Sequence, residues 1–212
     1  MNDEIRQFRE ACADYEKMWQ VTDETLYALC RRHPGHADRG SINAKLWIIG
    51  RTYATGIERK ISSDGSQGSS LTRLADLLEN KHAAVDAIIG TLNSVREPLD
   101  TAQLRTILCA HGALLKLVRP LLRNRQSPRS FVSKYLHFHC PAVPIFDSIA
   151  MRKLTKLSPW RQLTNKLTIP SEADPEYGWY VSRFWQLYSD LRSAGANVTV
   201  KTLDHFILSA CT

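Results

Sequence analysis

The chain has 212 residues, 43% hydrophobic and 23% charged, an ordinary globular composition and too apolar for a disordered segment. Its longest uncharged stretch, Tyr135 to Phe146, is twelve residues, short of the roughly twenty apolar residues a membrane-spanning helix needs. The opening MNDEIRQFRE is charged from its third residue and holds no apolar run, so no secretory leader is expected and the expected location is cytoplasmic.

Helical periodicity dominates the chain. Residues 3–19 place Ile5, Phe8, Cys12, Tyr15 and Trp19 three and four apart, an amphipathic helix. Thr22 or Asp23 is suited to cap a second helix running to about Arg32. After the loop around His33-Pro34-Gly35-His36, Asn43 is expected to open a long helix that includes Ala44–Lys60. Residues 62–70, rich in Ser and Gly, read as a loop and a candidate mobile one. Further helices are expected near 70–79, 82–95, 101–124, 129–139, 148–157, 176–193 and 199–209, with Pro120 kinking or ending the one over 101–124. No strand alternation or internal repeat is present, so the expected fold is all-α. It reads as a single domain over 1–212, with two helical lobes (about 1–100 and 101–212) flanking a site as the alternative.

Charge is unevenly distributed. The net charge is +7, yet Thr101 to Pro170 holds twelve Lys and Arg against one carboxylate, Asp147, while the remainder is net acidic. Clustered basic residues displace counterions from phosphates, so a polyanion partner is expected, and no membrane. Five scattered cysteines (Cys12, Cys30, Cys109, Cys140 and Cys211) form no C-x-x-C pair, which argues for reduced thiols and against structural zinc. His137 and His139 would lie about 200° apart on a helix and cannot easily share an ion. No metal or cofactor is expected.

The segment with the chemistry runs from Ser127 to Ser148. Read as a helix over 129–139, it places Phe131, Tyr135 and Phe138 on one face and Ser130, Lys134 and His137 on another. A lysine among bulky apolar neighbours is pushed toward neutrality, which makes its amine a nucleophile. A Pro141–Pro144 turn then leads to Asp147, placed to cap the next helix while presenting its second oxygen outward. In the Ala44–Lys60 helix, Arg51 and Glu58 share a polar face and are candidates for a substrate pocket, or for an ion pair with a nearby partner. Tyr53 reads first as core. So do Trp19, Trp47, Trp179 and Trp185, whereas Trp160, inside the basic region, is the tryptophan expected at a pocket.

Ser133-Lys134-Tyr135-Leu136, followed by Val143-Pro144-Ile145-Phe146-Asp147, resembles the active-site region of helix-hairpin-helix DNA glycosylases of the 8-oxoguanine type. It resembles their small bacterial relatives still more. The resemblance covers roughly residues 100–160. It implies a helical glycosylase-like fold, with Lys134 attacking the sugar C1′ and Asp147 stabilising the oxocarbenium ion and handling protons. The family's apolar-Gly-apolar-Gly hairpin before the lysine is replaced here by Gln126-Ser127-Pro128-Arg129-Ser130, a divergent hairpin, and the lysine-to-aspartate spacing of 13 is shorter.

The implied function is excision of a damaged or modified base from double-stranded DNA, the implied partner, to leave an abasic site. Lyase activity through Lys134 stays open, as does a target base, either an oxidised purine in repair or a bulky modified base of bacteriophage DNA in antiviral defence. The expected pocket residues are Arg51, Glu58, His137 and Trp160. The expected DNA grip is Arg123, Arg125, Ser127, Arg129, Ser130, Arg152 and Lys153. The alternative is a non-enzymatic helical DNA-binding protein.

Overall fold

A computed structural model describes residues 2–53, 55–61, 69–123, 127–157 and 162–209, without the side chains of 2–4, 15 and 16. Arg125, Trp160 and the Ser/Gly-rich stretch 62–68 lie outside the described residues, as does the side chain of Tyr15. The described chain is all-α. Its only strand-like pairing is a single antiparallel bridge, Ile61 to Leu122. Among the described residues no helix is long and apolar enough to cross a membrane.

The helices are α1 (Asn2–Met18), α2 (Gln20–Arg32), α3 (Arg39–Trp47), α4 (Ile57–Lys60), α5 (Ser70–Asn80) and α6 (His82–Gly90). They continue with α7 (Thr101–Val118), α8 (Arg129–His139), α9 (Ser148–Leu157), α10 (Pro175–Ser193) and α11 (Val200–Ser209). Side-chain oxygens define several starts by accepting orphan backbone N–H groups. Ser69 caps α5 through Thr72 N, Asp100 caps α7 through Gln103 N, and Asp174 caps α10 through Tyr177 N.

Three sequence expectations about helix boundaries are corrected. Asp38, not Asn43, opens the third helix, accepting from Gly40 N and Ser41 N. Asp23 does not cap α2. Its backbone N–H already bonds Trp19 O, and its side chain is buried. The run Ala44–Lys60 is not one helix. It widens into a π-helical turn at Ile48–Thr52 and breaks at Gly56, whose φ of +64° is open to glycine at little cost. Thr55 Oγ1 donates to Gly50 O across the break. Likewise α7 ends at Val118 with a 3-10 turn over Arg119–Leu121, where Pro120 cannot continue the helical bonding.

One contiguous apolar core runs from Phe8 to Ile207. At its outer edge α1 packs on α11, with Phe8 and Phe206 edge to face at 5.7 Å. At its centre is α8, every residue of which from Phe131 to Phe138 is buried between α2, α7 and the π-turn. Such a helix must satisfy its polar groups internally, because each buried orphan costs about 1–3 kcal/mol. Those bonds shape the segment that follows. Ser133 Oγ accepts from Phe146 N, and His137 Nδ1 donates to Val143 O. From α10, the Tyr177 and Tyr180 hydroxyls donate to the carbonyls of Pro144 and Ile145. Two helices therefore hold residues 143–146 by their backbone, and this fixes where Asp147 enters α9.

Candidate active site

Lys134 projects from α8 into a cavity of about 380 Å³. The walls come from distant parts of the chain: Trp19 and Asp23 at the α1–α2 junction, Thr52 and Tyr53 after the π-turn, and Ile145 and Asp147 before α9. Lys201, Asp204, His205, Leu208 and Ser209 of α11 complete them.

The Lys134 side chain is 9% exposed. Its Nζ donates to Tyr53 O at 2.9 Å and stands 3.9 Å from Asp147 Oδ2. Burial pushes its pKa down, opposed by Asp147 and Asp204 and reinforced by Lys201. Asp147 divides its oxygens as capping geometry requires, with Oδ1 accepting from Ile149 N at 2.8 Å and Oδ2 left toward the lysine. The structure thus brings together the two residues singled out for catalysis.

Three of the expected pocket residues, Arg51, Glu58 and His137, fall elsewhere. Arg51 and Glu58 form an exposed ion pair at 2.9 Å, with the Arg51 guanidinium 3.9 Å over the Trp47 ring; neither lines the cavity. The break at Gly56, not a shared helical face, lets them meet. His137 is fully buried and away from the cavity. With Nδ1 donating to Val143 O, its Nε2 accepts from the Tyr27 hydroxyl, and burial holds its pKa at about 3. Its role is to anchor the segment leading to Asp147. Trp160 is outside the described residues.

Sequence reasoning missed most of the cavity. Tyr53, read as core, is half-buried and lines it, its hydroxyl donating to Asp23 and its carbonyl accepting from Lys134. Asp23, read as a cap, is 1% exposed and also pairs with Lys201 at 2.9 Å. Trp19, read as core, is 43% exposed at the cavity wall, and Trp47 and Trp179 are exposed as well. Asp204 is 4% exposed, and burial raises its pKa to about 6 despite Lys201 and Lys134. The available signal for Asp204 was an acid set among Leu203, Phe206 and Ile207.

Asp147 also lines a second, more polar cavity of about 480 Å³ with Arg59, Lys60, Ser127, Arg129, Ser130 and Ser148. Three of the expected phosphate-gripping residues, Ser127, Arg129 and Ser130, meet here. Arg129 is already engaged with Asp174 at 2.5 Å and Glu176 at 2.7 Å, so it braces the α10 cap rather than standing open to a phosphate. Lys60 donates to Ser127 O, and burial followed by the nearby Arg129 and Arg59 charges push its pKa down. Arg59 and Lys60 were not anticipated. Arg123 donates to Ile61 O, and Lys153 lies 5.6 Å from the Phe206 ring, so both are partly committed to packing. Arg152 is exposed on α9. Arg125 is outside the described residues.

The chain matches no protein-family model, no curated protein and no solved structure. Among the described residues no group of three His, Cys, Asp or Glu is placed to hold a metal ion.

Proposed function

We propose that the protein is a DNA glycosylase that excises a damaged or modified base and leaves an abasic site. The observation that carries this reading is Lys134, buried and 3.9 Å from a capping Asp147, at the wall of a cavity of about 380 Å³. That volume lies in the range of small-molecule sites, about 300–1,000 Å³. A base inside a duplex is out of reach of such a cavity, so the nucleotide is extruded into it.

Cleavage of the N-glycosidic bond leaves positive charge on the sugar, and Asp147, which lines both cavities, is the carboxylate that stabilises it. Lys134, its proton affinity lowered by burial, is the amine that adds to C1′ in a lyase branch. The second cavity, with Arg59 and Lys60, receives the sugar-phosphate backbone. The helix-hairpin-helix resemblance and the all-α architecture support the same reading. Bulky modified bases, including those of bacteriophage DNA, join oxidised purines as substrate candidates, and the former would place the protein in antiviral defence.

The test is borohydride trapping on duplexes carrying damaged, mismatched and phage-modified bases, with abasic sites measured in parallel. A trapped adduct that vanishes in Lys134→Ala establishes the lyase branch. Abasic sites without an adduct assign Asp147 to activation of water. Salt-dependent DNA binding with neither product overturns the reading in favour of a non-enzymatic DNA-binding protein.

A further inference from the structure

An ionised carboxylate taken out of water needs compensating hydrogen bonds or a counter-charge. Asp204 is 4% exposed, lines the Lys134 cavity, and its Oδ1 has no hydrogen-bond partner among the described residues. The donors nearby are committed elsewhere. Tyr53 OH and Lys201 Nζ serve Asp23, while Lys134 Nζ serves Tyr53 O and faces Asp147. On α11 the Ser209 hydroxyl donates to Phe206 O, and His205, pushed toward its neutral form by burial and by Lys201, brings no counter-charge. Three carboxylates, Asp23, Asp147 and Asp204, thus face this cavity against two lysines. The surplus is an acceptor, and folding supplies no donor for it.

The donor arrives with the ligand. Trp19, partly exposed at the same cavity, offers the flat face on which a base stacks. An exocyclic amino group directs its hydrogens outward to an acceptor such as the Asp204 carboxylate. An oxo group in the same place turns lone pairs toward the carboxylate, leaving Asp204 unsatisfied and adding repulsion. The ring N–H of a dioxopyrimidine does not substitute, because it is flanked by two carbonyl oxygens that meet the same negative field.

We propose that Asp204 is the specificity-determining residue of this cavity, accepting a hydrogen bond from the base, and that the substrates are amino-bearing bases derived from cytosine, adenine or guanine. This rests on the glycosylase reading and narrows it.

The test uses duplexes whose target bases exchange one amino group for an oxo group, with the accompanying change at the adjacent ring nitrogen: 5-hydroxymethylcytosine against 5-hydroxymethyluracil, 8-oxoguanine against 8-oxoxanthine, and adenine against hypoxanthine. Excision rates are measured for the wild type, Asp204→Asn and Asp204→Ala. Binding of free cytosine and free uracil is followed in parallel through the Trp19 indole NMR signal. For at least one pair the wild type favours the amino member by about tenfold or more. Asp204→Asn, whose amide can turn an N–H toward an oxo group, narrows or inverts that preference, and Asp204→Ala abolishes it. Thermal melts verify that each variant is folded. Equal excision within every pair, or a preference unchanged in Asp204→Asn, overturns the assignment of Asp204 and leaves the glycosylase reading standing. Amino-selective binding of the free base that depends on Asp204, with no excision of any substrate, upholds the assignment and overturns the glycosylase reading. No excision and no selective binding overturns both.

Discussion

Asp204→Asn stabilises the folded protein at neutral pH, and the gain depends on pH. The carboxyl is raised from 3.8 to about 6, with burial the largest cause. At about 1.4 kcal/mol per pH unit, keeping Asp204 ionised in the fold costs roughly 3 kcal/mol. A group raised in this way contributes stability below pH 3.8 and loses it as the pH climbs through about 6. The Asn variant has no proton to lose. Its buried amide carries a desolvation cost of about 1 kcal/mol, leaving a net gain of about 2 kcal/mol at pH 7.5. That amide cost is the same at every pH, so the difference between conditions isolates the ionisation. About 2 kcal/mol of the advantage develops between pH 4.5 and 7.5. Urea denaturation of both proteins at these two pH values reads it directly, and thermal midpoints should separate by about 2–4 °C per kcal/mol. An advantage that is absent, or equal at both pH values, would refute the view of Asp204 as a carboxylate left uncompensated by folding.

Asp147→Asn keeps an oxygen for Ile149 N and removes the charge, so thermal stability holds while single-turnover excision falls about 10²- to 10³-fold; Asp147→Ala loses the cap as well, at about 1 kcal/mol. If the lyase branch operates, borohydride trapping rises with pH as Lys134 loses its proton, with a midpoint below that of an ordinary lysine; a midpoint near 10.5 would contradict its burial. His111 and His137, lowered from 6.5 to about 4 and about 3, bind fewer protons folded than unfolded, so stability falls as the pH drops through 6.5. In the Asp204→Asn background these two rings account for a loss of roughly 4 kcal/mol at pH 5, to which His36, His139 and His205, also lowered by burial, add; urea midpoints read the loss, and a flat profile would count against burial of these rings in neutral form. Gly112→Ala places a Cβ 2.3 Å from Glu172 O, forcing α7 away from the segment before α10. It costs at least about 1–3 kcal/mol in a denaturation curve.

The helical class and most helix positions follow from local sequence. The 3.6-residue spacing of Phe131, Tyr135 and Phe138 and of the apolar positions in 148–157 and 199–209 is a property of neighbouring residues, and α8, α9 and α11 form close to where that spacing puts them. The pairing of Lys134 with Asp147 was also legible, because both belong to one short segment and the capping preference of Asp is local. Chain direction failed where a backbone conformation had to be known. Gly56 at positive φ and the π-turn split the Ala44–Lys60 run, turning Tyr53 into the cavity and Arg51 out to Glu58. The same limit applied to Asp23 and Asp204, 181 residues apart in sequence and joined at one cavity only because α1 packs on α11 and Lys201 reaches back to α2. Periodicity reports which face of a helix is buried. Whether a buried acid on that face meets a donor or an open cavity depends on partners that only tertiary packing supplies.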